Sequence, residues 1–467
     1  MKKILIYLSI FFYCCTAYSQ SQLDEFILSR MEQFNIPGLS ACIVKKGRLA
    51  WAGNYGYADI QNKIPVTGNT IFMLASVSKT VTGTALMQVF QNGGFKLDDS
   101  INAYLPFSVV NPFFPNIPIT FKMLMTHTSS IQDNWDAMPV VLGDHPMSLD
   151  EYMRNYFIPG GLYYESVLNF HYYEPGSQWN YSNVAVALCG YLVESITHTP
   201  FDKYCSDSIF NPLCMEKTSW FLKDLDTSSI ARTYDLYDSV YIDNGLYGFP
   251  DYPDGQLRTT AISLAKFLKM NMEYGKFGDK RVLESNTIKL ITTEQLPGQG
   301  LIWARASFQG KTLIAHTGGD KGVSTFAGFI LEDTLGLVIL TNMTGGLNDT
   351  ILINSLIRLA DTIPYLDAPI LDCGYVSISE KLDKRNDINI FPNPAKDFIR
   401  VIIPDYIQHN TTVYIINSFG ISVSSLYLIP DKSQTYDINI SNLTPGVYFC
   451  RIKAGNHIET KQFMILR

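Results

Sequence analysis

A chain of 467 residues is too long for one typical hydrophobic core, so two or more folded units are expected. Hydrophobic residues at 46% and charged ones at 17% exclude a disordered chain. A formal net charge of -7, without a dense Lys/Arg patch, argues against a nucleic-acid partner.

The chain starts with Met1-Lys2-Lys3, an apolar run to about Cys15, and small residues around Ala17-Tyr18-Ser19. That is the pattern of an export leader, and residues 1–19 are expected to be a signal peptide cleaved near Ser19–Gln20. The run is too short to favour a spanning helix, and no later stretch is long and apolar enough to be one. The mature protein is therefore expected to be exported, with no transmembrane segment. Cys14 and Cys15 would leave with the leader, although bulky Phe11-Phe12-Tyr13 does not suit a lipoprotein signal. The six cysteines left are widely spaced with no CxxC pair, so neither a metal site nor a cofactor is expected. Cys205 and Cys214 are candidates for a disulfide, and burial as small apolar side chains is the alternative.

A helix is predicted over 23–35, then two strands over 39–44 and 49–57 around the polar turn Lys45-Lys46-Gly47-Arg48. Ser76-Val77-Ser78-Lys79 opens a predicted helix reaching about Gly93. Its residues Val81, Ala85, Val89 and Phe90 form one stripe, so packing on one side is expected. Residues three apart share a helix face, which brings the Ser76 hydroxyl and the Lys79 amine together. A serine needs a neighbouring base to become a nucleophile, and a partly desolvated lysine can serve. Unpaired N–H groups at a helix start also favour a developing negative charge. Ser263-Leu264-Ala265-Lys266 has the same spacing, so the pattern alone does not choose between them.

Residues 121–125 read as a short helix, and the aromatic, irregular stretch 131–172 as a lid or one wall of a cleft. Tyr181-Ser182-Asn183 precedes a predicted helix over 184–196, and another spans 259–272. Strands are predicted over 302–308, 311–316, 323–332 and 335–341, then a helix over 348–360. This order gives an α+β fold: an antiparallel sheet drawn from both ends of residues 20–362, flanked by helices, with a helical insertion domain. Residues 363–388, with Pro364, Pro369 and the charged run 380–387, read as a linker. Six short strands within 389–467 predict a small β-sandwich.

Three short signals stand in order: Ser76-Val77-Ser78-Lys79, Tyr181-Ser182-Asn183 and His316-Thr317-Gly318. As a set they resemble the S-x-x-K, Y-x-N and K-T-G signals of penicillin-recognising serine enzymes, in their class C β-lactamase-like branch. Leu124-Met125-Thr126-His127-Thr128-Ser129 and Gly255-Gln256-Leu257-Arg258-Thr259-Thr260 also resemble the connecting pattern of that family. The resemblance selects Ser76 over Ser263, and implies that Ser76 attacks a carbonyl while Lys79 and Tyr181 together take its proton. It implies that Asn183 offers an amide to the substrate and to Lys79. It also implies an oxyanion hole from the backbone N–H groups of Ser76 and Gly319. His316 stands where the β-lactamase pattern has lysine and removes a fixed positive charge for a substrate carboxylate. This shifts the expected substrate from a β-lactam or a D-alanyl-D-alanine peptide to an ester or amide cleaved in esterase or peptidase fashion. A catalytically idle surface binding protein is the expectation from another class. His127 is expected to be structural.

The C-terminal unit has a resemblance of its own. Phe391-Pro392-Asn393-Pro394-Ala395, Leu443-Thr444-Pro445-Gly446-Val447-Tyr448 and the final Lys461-Gln462-Phe463-Met464-Ile465-Leu466-Arg467 look like the type A sorting domain of the type IX secretion system of Bacteroidetes-type bacteria. It implies that residues 389–467 engage the type IX machinery and that the protein is secreted or displayed at the cell surface. A carbohydrate-binding or adhesive sandwich is the alternative.

Overall fold

Three strands near the N-terminus and four between residues 304 and 341 build one sheet. In the computed structural model, helix α1 (23–33) leads into β1 (Gly38–Lys45) and β2 (Arg48–Asp59). Lys46 and Gly47 both have positive φ, the geometry that matches a two-residue hairpin to strand twist. Next come β3 (Ile64–Pro65), α2 (Ser78–Gln91), α3 (Asn183–Thr197) and α4 (Ala261–Met272). Strands β4 (Ala304–Phe308), β5 (Lys311–Asp320), β6 (Val323–Ile330) and β7 (Leu335–Thr341) follow, and then α5 (Thr350–Thr362). The sheet order is β4-β5-β6-β7-β1-β2-β3, antiparallel throughout, with Leu39 opposite Thr341.

The described residues are 23–347, 350–363, 365–366, 368–375, 389–402, 411–417, 422–428, 435–454 and 457–466. They fall into two compact units dividing between Tyr375 and Val376. The expected leader, 1–19, and the charged run, 380–387, lie outside the described residues. Among those residues, no helix is long and apolar enough to cross a membrane.

In the first unit, alternate residues of one strand serve opposite faces of the sheet. Leu39, Ala41 and Ile43 pack with Ile27 of α1 and Leu356 of α5, whereas Cys42 and Val44 pack with Leu264 and Leu268 of α4. The sheet is thus covered on both sides, and the helices of the insertion extend the α4 side. Contrary to the one-sided packing expected of α2, every residue from Ser78 to Val89 is buried. Its polar residues tolerate burial because each finds a partner. Thr82 Oγ1 donates to Pro253 O at 2.5 Å, and Gln88 Nε2 donates to the carbonyls of Ser208 and Val282 at 3.0 Å each. A helix held on all sides is a rigid platform for side chains at its start.

Two expectations need correction. Cys214 pairs with Cys373, not with Cys205, which is buried as a free thiol. And the stretch read as a linker from 363 does not begin as one. Leu371 is fully buried and its N–H donates to Gly47 O at 3.1 Å, while Lys269 Nζ donates to Leu371 O at 2.8 Å. This C-terminal strap belongs to the first unit because the hairpin and α4 offer it unpaired backbone and side-chain partners. The disulfide closes a loop with a sequence separation of 159. Cys373→Ser should therefore destabilise the unit by about 2–5 kcal/mol. Thermal melting reads this out: reductant should lower the wild-type midpoint to that of the variant, and coincident midpoints without reductant would contradict it.

The second unit has a three-stranded sheet of Asn389–Phe391, Phe398–Ile402 and Thr435–Asn439. A four-stranded sheet runs in the order Ser422–Leu428, Thr411–Asn417, Gly446–Ala454, His457–Ile465. Ile399 and Val401 of the first share one core with Val413, Ile415, Cys450, Ile452 and Phe463 of the second, as in a β-sandwich.

Candidate active site

Ser76 sits in a single 3-10 turn, Ala75–Val77, that runs directly into α2. The residue before it, Ala75, has φ 47°, a left-handed conformation that costs a non-glycine residue about 1–3 kcal/mol. Two neighbours hold this segment: Leu74 N donates to Leu257 O at 2.8 Å, and Thr325 Oγ1 donates to Leu74 O at 2.6 Å. The turn leaves Ser76 half-buried beside fully buried neighbours.

Lys79, one turn into the helical run, is completely buried. Its Nζ donates to Ser76 Oγ at 3.0 Å and to Asp254 O at 2.7 Å, and lies 3.9 Å from Asp254 Oδ1. Burial works against its charge, but Tyr181 and Asp254 outweigh that and hold the ammonium above its ordinary value. Lys79 is therefore a buried cation and not a free base.

Tyr181 stands in the extended turn before α3, with its ring centroid 5.2 Å from Lys79 Nζ. Its buried hydroxyl faces that charge without a hydrogen bond of good geometry. His127 fixes the turn from below. Its carbonyl accepts from Asn180 N at 2.7 Å, its Nδ1 accepts from Ser182 N at 3.3 Å, and its ring lies 4.4 Å from that of Tyr181. Burial, with the Lys79 charge nearby, pushes His127 down to about 3, so it is neutral at pH 7.

Sequence reasoning missed Asp133. Its carboxylate accepts from Asn183 N at 2.9 Å, Val184 N at 3.1 Å, Asn183 Nδ2 at 2.8 Å and Ser182 Oγ at 3.0 Å. Ser182 Oγ in turn accepts from Ala185 N at 3.0 Å. Three of the four orphan N–H groups at the α3 start are satisfied in this way. The Asn183 amide nitrogen is thus bonded to Asp133, not to Lys79 as the resemblance implied. Asp133 stands in the irregular stretch 131–172, fifty residues before its partners in the chain, where no local pattern marks it.

The third signal lies on β5. Gly318 must lack a side chain, since a Cβ there would sit 2.3 Å from Leu74 O and 3.2 Å from Ser76 N. The close approach brings the strand against the Ser76 backbone, with Gly319 next along it facing open space. His316 is buried, its Nδ1 is 2.7 Å from Thr317 O, and because a carbonyl only accepts, that nitrogen carries the proton. Burial and the Lys79 charge push His316 down to about 4. It carries no charge at pH 7.

One cavity of about 670 Å³ is lined by Ser76, Asp133, Tyr181, Asn183, Asp251, Asp254, Gly319, Asp320 and Lys321 among others, whereas Lys79, His127 and His316 do not line it. Trp135, Met138, Val140 and Phe249 supply an apolar wall, and Trp135 is 72% exposed at its mouth. Much of that wall comes from 131–172. The second S-x-x-K pair is not assembled: Ser263 N donates to Thr260 Oγ1 as part of a helix cap, and Lys266 Nζ donates to Cys214 O at 2.9 Å. Among the described residues, no group of three or more His, Cys, Asp or Glu side chains is placed to hold a metal ion.

Comparison with known proteins gives the family of each unit. Residues 23–362 match the protein family described as Beta-lactamase, and residues 389–466 match the Secretion system C-terminal sorting domain. The chain is similar to Protein flp of Staphylococcus aureus (strain N315), 25% identical over 332 residues, which is 70% of this chain and 63% of that protein. It therefore spans less than two thirds of that relative. It is also similar to Penicillin-binding protein 4* of Bacillus subtilis (strain 168), 25% identical over 344 residues, 68% of this chain and 69% of that one. Among solved structures, the octameric penicillin-binding protein homologue from Pyrococcus abyssi is 21% identical with a TM-score of 0.59, covering 96% of both chains. The D-amino acid amidase from Ochrobactrum anthropi SV3 complexed with L-phenylalanine is 21% identical with a TM-score of 0.60, covering 73% of this chain and 99% of that one. The two structural likenesses speak for the fold.

Proposed function

Because the chain belongs to the beta-lactamase family of serine hydrolases, we propose that its first unit cleaves an ester or amide through an acyl-enzyme on Ser76. Its second unit is a sorting domain of the type IX secretion system, and the protein is secreted or displayed at the cell surface. The observation that carries the catalytic reading is the 3.0 Å bond from the buried Lys79 ammonium to Ser76 Oγ in the cavity wall.

In this reading Ser76 Oγ attacks the substrate carbonyl and its proton passes to the Tyr181 oxygen, which accepts it as a phenolate paired with the Lys79 ammonium. Lys79, already protonated, acts as the fixed positive charge that lets a tyrosine serve as a base. The same proton then moves to the leaving oxygen or nitrogen, and water releases the acyl group by the reverse path. The backbone N–H groups of Ser76 and Gly319 receive the oxyanion, each worth about 3 kcal/mol. Asn183, oriented by Asp133, borders the substrate.

The neutral His316, and a cavity wall that holds Asp133 and Asp320 against one exposed lysine at 321, favour a substrate without a carboxylate beside the third signal. The apolar wall at Trp135, Met138 and Val140 favours an apolar acyl or leaving group. An unmatched carboxylate near His316 should cost about 10- to 100-fold in kcat/KM. Apolar p-nitrophenyl esters should therefore outpace nitrocefin and D-alanyl-D-alanine peptides by that margin, and His316→Lys should narrow the gap. Equal turnover of all three by the wild type would remove the substrate reading. No covalent acyl adduct on the Ser76 peptide by mass spectrometry, with any of them, would favour the idle binding protein instead.

A further inference from the structure

Two carboxyl groups in the cavity wall have no part in the scheme above. Asp254 ends the short turn Tyr252–Asp254 and Asp251 immediately precedes it, so the two are brought together by one tight bend containing Pro253. They are 1% and 5% exposed, for Asp251 and Asp254 respectively. Asp254 touches the catalytic cation twice, through its carbonyl at 2.7 Å and its Oδ1 at 3.9 Å from Lys79 Nζ. Both Asp251 oxygens and Asp254 Oδ2 are buried without a donor from the surrounding residues, and the two carboxyls lie close enough to hydrogen-bond each other once one is protonated. Two adjoining buried carboxyls do not both ionise, because like charges in a dry site repel strongly. A single buried ammonium needs a negative partner for the converse reason.

We propose that Asp251 and Asp254 are positioning residues that share one proton, and that the single negative charge left on the pair keeps Lys79 charged and aimed at Ser76. The proposal rests on the Ser76–Lys79 reading above. It makes the pair a charge setting behind the nucleophile that acts through Lys79, with both Asp251 oxygens and Asp254 Oδ2 buried.

Several other titratable groups face the pair and Lys79, among them Asp320 of β5, whose carboxyl is also pushed up by burial. Lys79 approaches from α2 and Asp133 from the stretch before the helix Leu149–Phe157. Tyr152 and Tyr156 of that helix feel the pair and are held neutral by burial, which pushes both hydroxyls far up. His127 and His316, beside Lys79, are pushed down to about 3 and about 4 and stay neutral. Tyr181 faces Lys79 from the far side. Burial pushes Asp251 up to about 6 and Asp254 upward as well, and the two titrate as one system. A raised carboxyl is protonated below its shifted value. Ser76 reactivity should therefore fall as the pH drops through about 6, when the pair becomes neutral and Lys79 loses its counter-charge.

The test is the rate at which a fluorophosphonate probe labels the full-length protein across about pH 4.5–8, with melting curves run alongside. The wild type should show an acid limb near 6. Asp251→Asn removes the carboxyl that shares the proton and leaves Asp254 alone in a dry site, so the limb should move up by about one pH unit. Asp254→Asn should lower the plateau rate roughly tenfold, because Lys79 loses its carboxylate neighbour. A merely structural role would reduce rates by one factor at every pH and leave the limb in place. A flat wild-type profile between about pH 5 and 8 overturns the proposal without any variant. So does a folded Asp251→Asn protein with the wild-type limb. Labelling that survives Ser76→Ala would instead defeat the Ser76 reading itself.

Discussion

Ser76→Ala is expected to lower turnover of an activated ester by at least about 10³-fold while leaving the melting temperature nearly unchanged. The large effect follows from the absence of a substitute within the cavity. Ser78 is fully buried, and its Oγ accepts from Leu257 N at 3.2 Å, so it cannot rotate towards substrate. Ser182 Oγ is engaged between Asp133 and Ala185 N. The small stability effect follows from the half-buried setting of Ser76, whose loss deletes one oxygen and no packing contact of the core. The left-handed Ala75 beside it suggests that the segment is shaped for reactivity at some cost in stability. Steady-state turnover of p-nitrophenyl acetate and a thermal melt decide it. A variant retaining a tenth of the wild-type rate would show that another group is the nucleophile.

Asp133→Ala should damage both stability and activity. Four donors lose their acceptor at once, two of them backbone N–H groups at the start of α3. Loss of a charged acceptor at a helix N-terminus, with donors left unpaired, costs about 2–4 kcal/mol. The Asn183 amide and the turn carrying Tyr181 would lose their anchor, and a misplacement of about 1 Å in such a site costs roughly 100-fold in rate. Asp133→Asn keeps an acceptor and its shape but not the charge, and should fall between the two. If Asp133→Ala melts like the wild type and works at more than half its rate, the carboxylate is not what holds this wall.

The contrast between Ser76 and Asp133 marks what the chain reveals when read alone. Ser76 and Lys79 are three residues apart, and Tyr181 and Asn183 two, so local geometry brings each pair together and a short pattern marks it. Asp133 meets Asn183 across fifty residues and an irregular loop. Asp251 and Asp254 are close in sequence, but their meaning comes from Lys79, 175 residues away. Cys214 finds Cys373 across 159 residues, and a nearer cysteine was the natural but mistaken expectation. The strand and helix order was legible because period and turn residues are local. The burial of α2 on every side was not, because its polar residues become buriable only when partners such as Pro253 O and Val282 O arrive from other elements. The strap after α5 was hidden for a related reason, since its proline-rich composition resembles a linker until the hairpin and α4 are there to receive it.

The pairing of β1 with β7 also governs when the molecule can take shape. Leu39 must wait for Thr341 to emerge from the ribosome before the centre of the sheet closes, and Gly318 reaches Ser76 only when β5 has been synthesised. Early segments therefore have no native partner for most of translation, and contacts of such long range form slowly. The cavity around Ser76 is therefore complete only after nearly the whole first unit is available.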